Sequence, residues 1–204
     1  MRLLAHLIFL CLAVFIVIVS GIHLWARPTP DLDVLLPEAE NCALPCVLGI
    51  IPGETSLDEA GRILNEHPWV IDYQLSRSIT ADSGYLIWRW SGAQPAIIDE
   101  RQEAALWVED GQVEWLQVTT RIPFGDVWLW LGTPSSGYIW YVELTAERIF
   151  QRMYYADDAM LVEFDVLCPT HLNGFWNSPV RLRYGVLPAD DALAYQTPRW
   201  GTCE

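Results

Sequence analysis

Residues 104–119 read Ala-Ala-Leu-Trp-Val-Glu-Asp-Gly-Gln-Val-Glu-Trp-Leu-Gln-Val-Thr. Two runs rich in β-branched and aromatic residues flank Asp110-Gly111. That dipeptide suits a type I′ turn, which needs positive φ at both central positions. The stretch therefore predicts a β-hairpin with strands Ala104–Glu109 and Gln112–Thr119. Direct pairing across the turn sets Val108 opposite Val113, Leu106 opposite Trp115 and Trp107 opposite Glu114. Leu106, Val108, Val113 and Trp115 then form a core face. Trp107 shares the other face with Glu114 and Glu109. A single-layer sheet with its helices on one side leaves such a face open, and an aromatic ring on a rigid open sheet is a binding anchor. Trp107, Glu109 and Glu114 are the candidate binding residues.

Outward from the hairpin, Thr55 or Ser56 can cap a helix with Asp58 or Glu59 at capping-box distance. Leu57, Ala60, Ile63 and Leu64 make one apolar face, and Pro68 ends the helix. Trp69–Leu75 and Gly84–Trp90 read as further strands. Residues 122–134 repeat the pattern in shorter form. Asp126 can open a helix that Gly132 closes, with Trp128 and Trp130 on different sides of it. Strand-like runs follow at Gly137–Glu143, Arg148–Tyr155, Met160–Leu167 and Val180–Leu187. The expected fold class is α+β: an N-terminal transmembrane helix, then two helix-plus-antiparallel-meander units at 42–120 and 121–204.

The first 26 residues set the expected address. Leu3–Trp25 contains no Asp, Glu, Lys or Arg. As a helix it reaches across a ~30 Å hydrocarbon core. Arg2 before it keeps the N-terminus inside and exports the rest. A cleaved signal peptide and lipidation at Cys11 are the alternatives. Small residues are poorly placed for cleavage, and Leu10 is large for a lipobox. Residues 27–41, with Pro28, Pro30 and Pro37 among Asp31, Asp33, Glu38 and Glu40, read as a solvated linker.

Cys42, Cys46, Cys168 and Cys203 follow, an even number that suits an exported domain. Of three connectivities the favoured one is Cys42–Cys46 and Cys168–Cys203. The second bridge closes a loop of about 35 residues and contributes roughly 3–4 kcal/mol by loop entropy. A metal or thiol-redox site, with His171 completing C-x-x-H, is the sharper alternative; a disulfide needs fewer converging ligands.

Composition narrows the function. Twelve basic residues, all Arg, stand against 26 acidic ones, for a net charge of −14. Such a chain repels phosphate backbones and anionic lipid headgroups, so no nucleic-acid partner is expected. Charged residues are 19% and hydrophobic ones 52%, which sets it apart from disordered chains. His67 at a helix end and His171 in a Pro- and Asn-containing loop lie in no nucleophile motif, so no catalytic residue, cofactor or metal is expected. Eleven Trp are many for this length.

The Ile-x-Pro-Gly-x-Thr motif at 50–55, the short helix and the Leu131-Gly-Thr-Pro134 exit resemble the BamE/SmpA-like and β-lactamase-inhibitory-protein-like repeats of bacterial envelope proteins. Cys42-Ala-Leu-Pro-Cys-Val-Leu-Gly-Ile-Ile-Pro-Gly-Glu-Thr55 is also similar to membrane-anchored proteins of filamentous green non-sulfur bacteria. The resemblance spans about residues 42–187 and departs from BamE-type lipoproteins in lacking their lipidation cysteine. It implies an envelope protein that binds other macromolecules without inherited catalytic residues. The expected role is a membrane-anchored, extracytoplasmic protein-interaction module with another envelope protein as partner; the alternative is a carbohydrate- or ligand-binding domain.

Overall fold

Asp110 and Gly111 take φ values of 50° and 78°, as a type I′ turn requires. The computed structural model describes residues 6, 11–17, 35, 45–77, 83–143, 147–189 and 192–203. Its strands are β1 (Val70–Arg77), β2 (Gly84–Trp90), β3 (Ala104–Glu109), β4 (Gln112–Pro123), β5 (Ser136–Glu143), β6 (Glu147–Tyr155), β7 (Met160–Leu167) and β8 (Pro179–Tyr184). Among the described residues three short α-helices, α1 (Leu57–Glu66), α2 (Phe124–Leu131) and α3 (Leu172–Trp176), accompany them, with one 3-10 turn at Ala156–Asp158 and helical residues at 11–17. The Ser56 hydroxyl caps α1 by accepting from the Glu59 N–H at 3.3 Å.

All eight strands join in one antiparallel sheet, ordered β1-β2-β3-β4-β8-β7-β6-β5. This corrects the expected fold class. The strands do not divide into separate helix-plus-meander units, each with its own sheet, and helices are few. The reason lies at β4, which has a free hydrogen-bonding edge once it has paired with β3. An unpaired edge costs backbone hydrogen bonds and invites association. β8 fills it, with Leu116 to Thr119 opposite Tyr184 to Arg181. The buried Thr120 hydroxyl reinforces the seam by donating to the Val180 carbonyl at 2.7 Å. The expected division at 120–121 falls inside β4.

The expected transmembrane helix is corrected too. Residues 11–17 are helical, but no helix among the described residues is long and apolar enough to cross a membrane. Apart from His6, the remainder of Leu3–Trp25 lies outside the described residues, as does the linker apart from Leu35.

One sheet face carries the core. Leu86, Trp88, Leu106, Val108, Leu116, Val118, Val162, Leu182 and Tyr184 alternate onto it and are buried. α1 supplies Ala60 and Leu64. Phe124 of α2 and Phe175 of α3 close on Phe164 of β7, with ring centroids 4.6 and 5.3 Å away.

The hairpin register differs from direct pairing. Val108 does face Val113, but a bulge between positions 107 and 108 inserts Glu114 as an extra residue. Trp107 then faces Trp115, and Leu106 faces Leu116. A bulge reverses alternation beyond it. Trp115 therefore leaves the core face and joins Trp107 on the other. Gly185 accommodates the same spot. It has φ of 86°, and a Cβ there would sit 2.5 Å from the Glu114 carbonyl oxygen and 2.4 Å from Pro52 Cβ.

Two outcomes follow for urea unfolding. Trp88→Ala is expected to lower stability by about 3–5 kcal/mol as a core truncation, and Trp115→Ala by less than half of that. Gly185→Ala is expected to cost at least about 1–3 kcal/mol, since neither Pro52 nor the Glu114 backbone can withdraw freely.

Candidate binding face

Helices α1, α2 and α3 pack on the core side, and among the described residues no helix covers the opposite face. Strand alternation decides what it displays. On β2, Tyr85, Ile87 and Arg89 alternate with buried Leu86, Trp88 and Trp90. On β8, Arg181 and Arg183 alternate with buried Val180, Leu182 and Tyr184. The same period places Trp107 of β3, Trp115, Gln117 and Arg121 of β4, Glu163 and Asp165 of β7, Arg148, Phe150 and Arg152 of β6, and Tyr138 and Trp140 of β5 on this face.

Two aromatic groups flank a charged centre. At one side the Tyr85 ring lies 4.6 Å from Trp107 and 5.8 Å from Trp115. The Trp107 indole N–H donates to Glu109 at 3.3 Å. At the other side Trp140 stacks on Phe150 at 5.2 Å and 17°, with Tyr138 5.4 Å from Trp140. Between them the Arg183 guanidinium lies 4.5 Å over Trp115, and Arg152 lies 5.3 Å over Trp140. A cation over an indole face is attracted to its quadrupole.

Glu163 ties the centre together. Its carboxylate pairs with Arg152 at 2.5 Å and with Arg183 at 3.2 Å. Arg152 also reaches the Tyr138 hydroxyl. Partial burial works against the Arg152 cation, but the Glu163 carboxylate outweighs it and holds the pKa above the usual arginine range. At Arg183 burial prevails and lowers the pKa despite Glu163, with Arg152 and Arg181 adding repulsion. Arg181 stands across the ladder from Glu163. It is exposed and, among the described residues, makes no hydrogen bond or ion pair. A recess of about 610 Å³ lies over this centre, bordered by Arg121, Arg152, Arg181, Arg183, Trp140 and Phe150. Forked guanidinium donors beside flat aromatic rings suit carboxylates carried on a protein surface.

Of the sequence-predicted binding residues, Trp107 and Glu109 meet on this face. Glu114 is exposed but is the bulge residue, not the partner of Trp107. Trp115, Arg152, Arg181 and Arg183 escaped the reading. A usable signal was present in Val180-Arg-Leu-Arg-Tyr184, where cations alternate with core residues at period two.

The Cys168–Cys203 half of the two-disulfide expectation is corrected. Cys168 and Cys203 are both unbonded thiols. Beside them Glu147 accepts from Cys203 Sγ at 3.7 Å. The hydrogen bond with Cys168, loss of water and the Glu147 charge push the Cys203 thiol up to about 12. The Cys203 thiol is thereby held protonated, with hydrogen bonds to Glu147 and Cys168. Cys46 is buried and disulfide-bonded, as expected of it, and Cys42 lies outside the described residues. His171 lines a separate recess with Cys168.

No protein-family model, curated protein or solved structure matches this chain.

Removing the shared carboxylate should be felt more than removing the unpaired cation. Glu163→Ala leaves Arg152 and Arg183 facing one another and is expected to destabilise by roughly 1–3 kcal/mol. Arg181→Ala is expected to stay within about 0.5 kcal/mol. Parallel urea titrations of the two variants check this.

Proposed function

We propose that this chain is a non-catalytic protein-interaction module of the cell envelope, and that the helix-free sheet face is its working surface. One observation carries the reading. A face that no helix covers displays Tyr85, Trp107, Trp115, Tyr138 and Trp140 around Arg152, Arg181 and Arg183. Trp, Tyr and Arg are the residue types that dominate binding energy at protein interfaces. Their rings are already stacked, so little side-chain entropy remains to be lost on binding.

The charge of the face refines the partner. Arg89, Arg121, Arg148, Arg152, Arg181 and Arg183 account for half of the chain's twelve basic residues. Five of these pair with Asp72, Asp99, Asp165 and Glu163, so the partner surface offers its carboxylate to Arg181, the one left unpaired among the described residues. The uncharged stretch Leu3–Trp25 supports an extracytoplasmic placement.

A photo-crosslinking residue at position 107, with position 65 on α1 as control, tests the reading in cells of the native host. Protein adducts are expected from position 107 and not from position 65. Arg181→Glu is expected to reduce the position-107 adduct at least tenfold while the purified variant keeps its unfolding midpoint. Purified protein that binds glycans through this face, with no protein adduct in cells, would establish the carbohydrate reading instead.

A further inference from the structure

Away from the open face, three separate segments bring one carboxylate and two thiols together. Glu147 begins β6, Cys168 follows β7, and Cys203 lies in the C-terminal tail. One ligand atom from each falls within 4.8 Å of the other two. Backbone hydrogen bonds fix this convergence. The Cys168 N–H donates to the Glu147 carbonyl at 3.0 Å. The Thr170 N–H donates to Thr202 at 2.9 Å, and the Gly201 N–H returns to Thr170 at 2.7 Å. Each ligand is thus anchored at its own residue or at an adjacent one. Glu147 is exposed and both cysteines are half-buried, so an ion can enter from solvent.

We propose that Glu147, Cys168 and Cys203 form a binding site for a divalent cation of the zinc class. The donor set makes the choice. Calcium and magnesium take oxygen ligands, whereas two thiolates and one carboxylate suit a borderline-soft ion. With metal–sulfur bonds of about 2.3 Å, tetrahedral ligands stand about 3.8 Å apart. The observed cluster needs to contract by at most about 1 Å, and the tail that carries Cys203 can supply the movement. Binding releases one proton from each thiol, and three protein ligands leave a fourth position for water. The bound ion joins the tail to the ends of β6 and β7. Trp200, three residues before Cys203, packs on Phe175 at 5.2 Å, so the same clip holds the tail against the core.

Cobalt(II) titration of the full chain, reduced and kept free of oxygen, tests the site. A Cys11→Ser background removes one unrelated exposed thiol. The expected result is one cobalt per chain with a thiolate-to-cobalt charge-transfer band and tetrahedral d–d bands, all displaced by zinc. Cys168→Ser and Cys203→Ser are each expected to abolish the charge-transfer band, and Glu147→Gln to weaken binding at least tenfold. Cadmium-113 NMR on the chain with both cysteines intact covers the case in which a serine variant fails to fold; its shift should report two sulfur ligands. Three results would overturn the proposal. One is no charge-transfer band at millimolar cobalt while both thiols remain reactive. Another is a band unchanged in Cys203→Ser. The third is a Cys168–Cys203 disulfide, read as a mass loss of two hydrogens, when a parallel sample with stoichiometric zinc is exposed to air so that O2 can take up the two electrons.

Discussion

The pairing of β4 with β8 is the constraint on which the rest of this structure depends. It joins positions more than sixty residues apart, as in Leu116 opposite Tyr184. Each strand brings a hydrogen-bonding edge that its own hairpin neighbour cannot satisfy. Their union removes two edges at once and aligns two core faces into one. Tyr184 shows the depth of that seam. It is fully buried, its hydroxyl donates to the Leu35 carbonyl at 3.1 Å, and burial drives its pKa far above the ordinary tyrosine value. Helices α1, α2 and α3 can then all lie on one side, and among the described residues no helix lies on the other.

Local chemistry was legible in the sequence, while long-range register was not. Asp110-Gly111 announced the turn, Ser56 the helix start, and alternation the limits of β2, β3 and β7. These signals act within a few residues, where backbone preference and hydrogen bonding are strongest. The bulge at Glu114 answers instead to packing between β4, Gly185 and Pro52, which are remote in the chain. Missing it moved Trp115 to the wrong face. The partnership of Arg152 and Arg183 through Glu163 was hidden for the same reason, since those residues meet only across three strands. The cysteine count favoured two bridges, but counting cannot show Cys168 and Cys203 meeting Glu147 as thiols.

Net charge also proves a poor guide to this surface. A chain at −14 suggests a cationic partner, yet its open sheet face gathers six arginines, five of them paired with the chain's own acids and Arg181 left over. Screening explains how both hold. At physiological salt the Debye length is about 8 Å, so a contact patch is governed by the charges within it. On the proposed reading, long-range attraction would follow the whole acidic molecule and docking would follow Arg181 and its neighbours. Encounter and recognition are thereby assigned to different residues, and ionic strength will act on them unequally.

The two outer strands of the sheet are protected unequally. On β5 the Gly137 N–H donates to the Leu193 carbonyl of the tail at 3.0 Å, and a Cβ at Gly137 would stand 2.9 Å from the Tyr195 ring. β1 bears a register irregularity between Val70 and Asp72. The difference matters because Gly137-Tyr-Ile-Trp-Tyr-Val142 is an uncharged run of aromatic and β-branched residues, the composition that stacks into cross-β fibrils when its edge is bare. The tail therefore acts as a stopper against self-templating. Proteolysis after β8 would release the amide of Gly137, and the first symptom would be insolubility, appearing before any loss of the core.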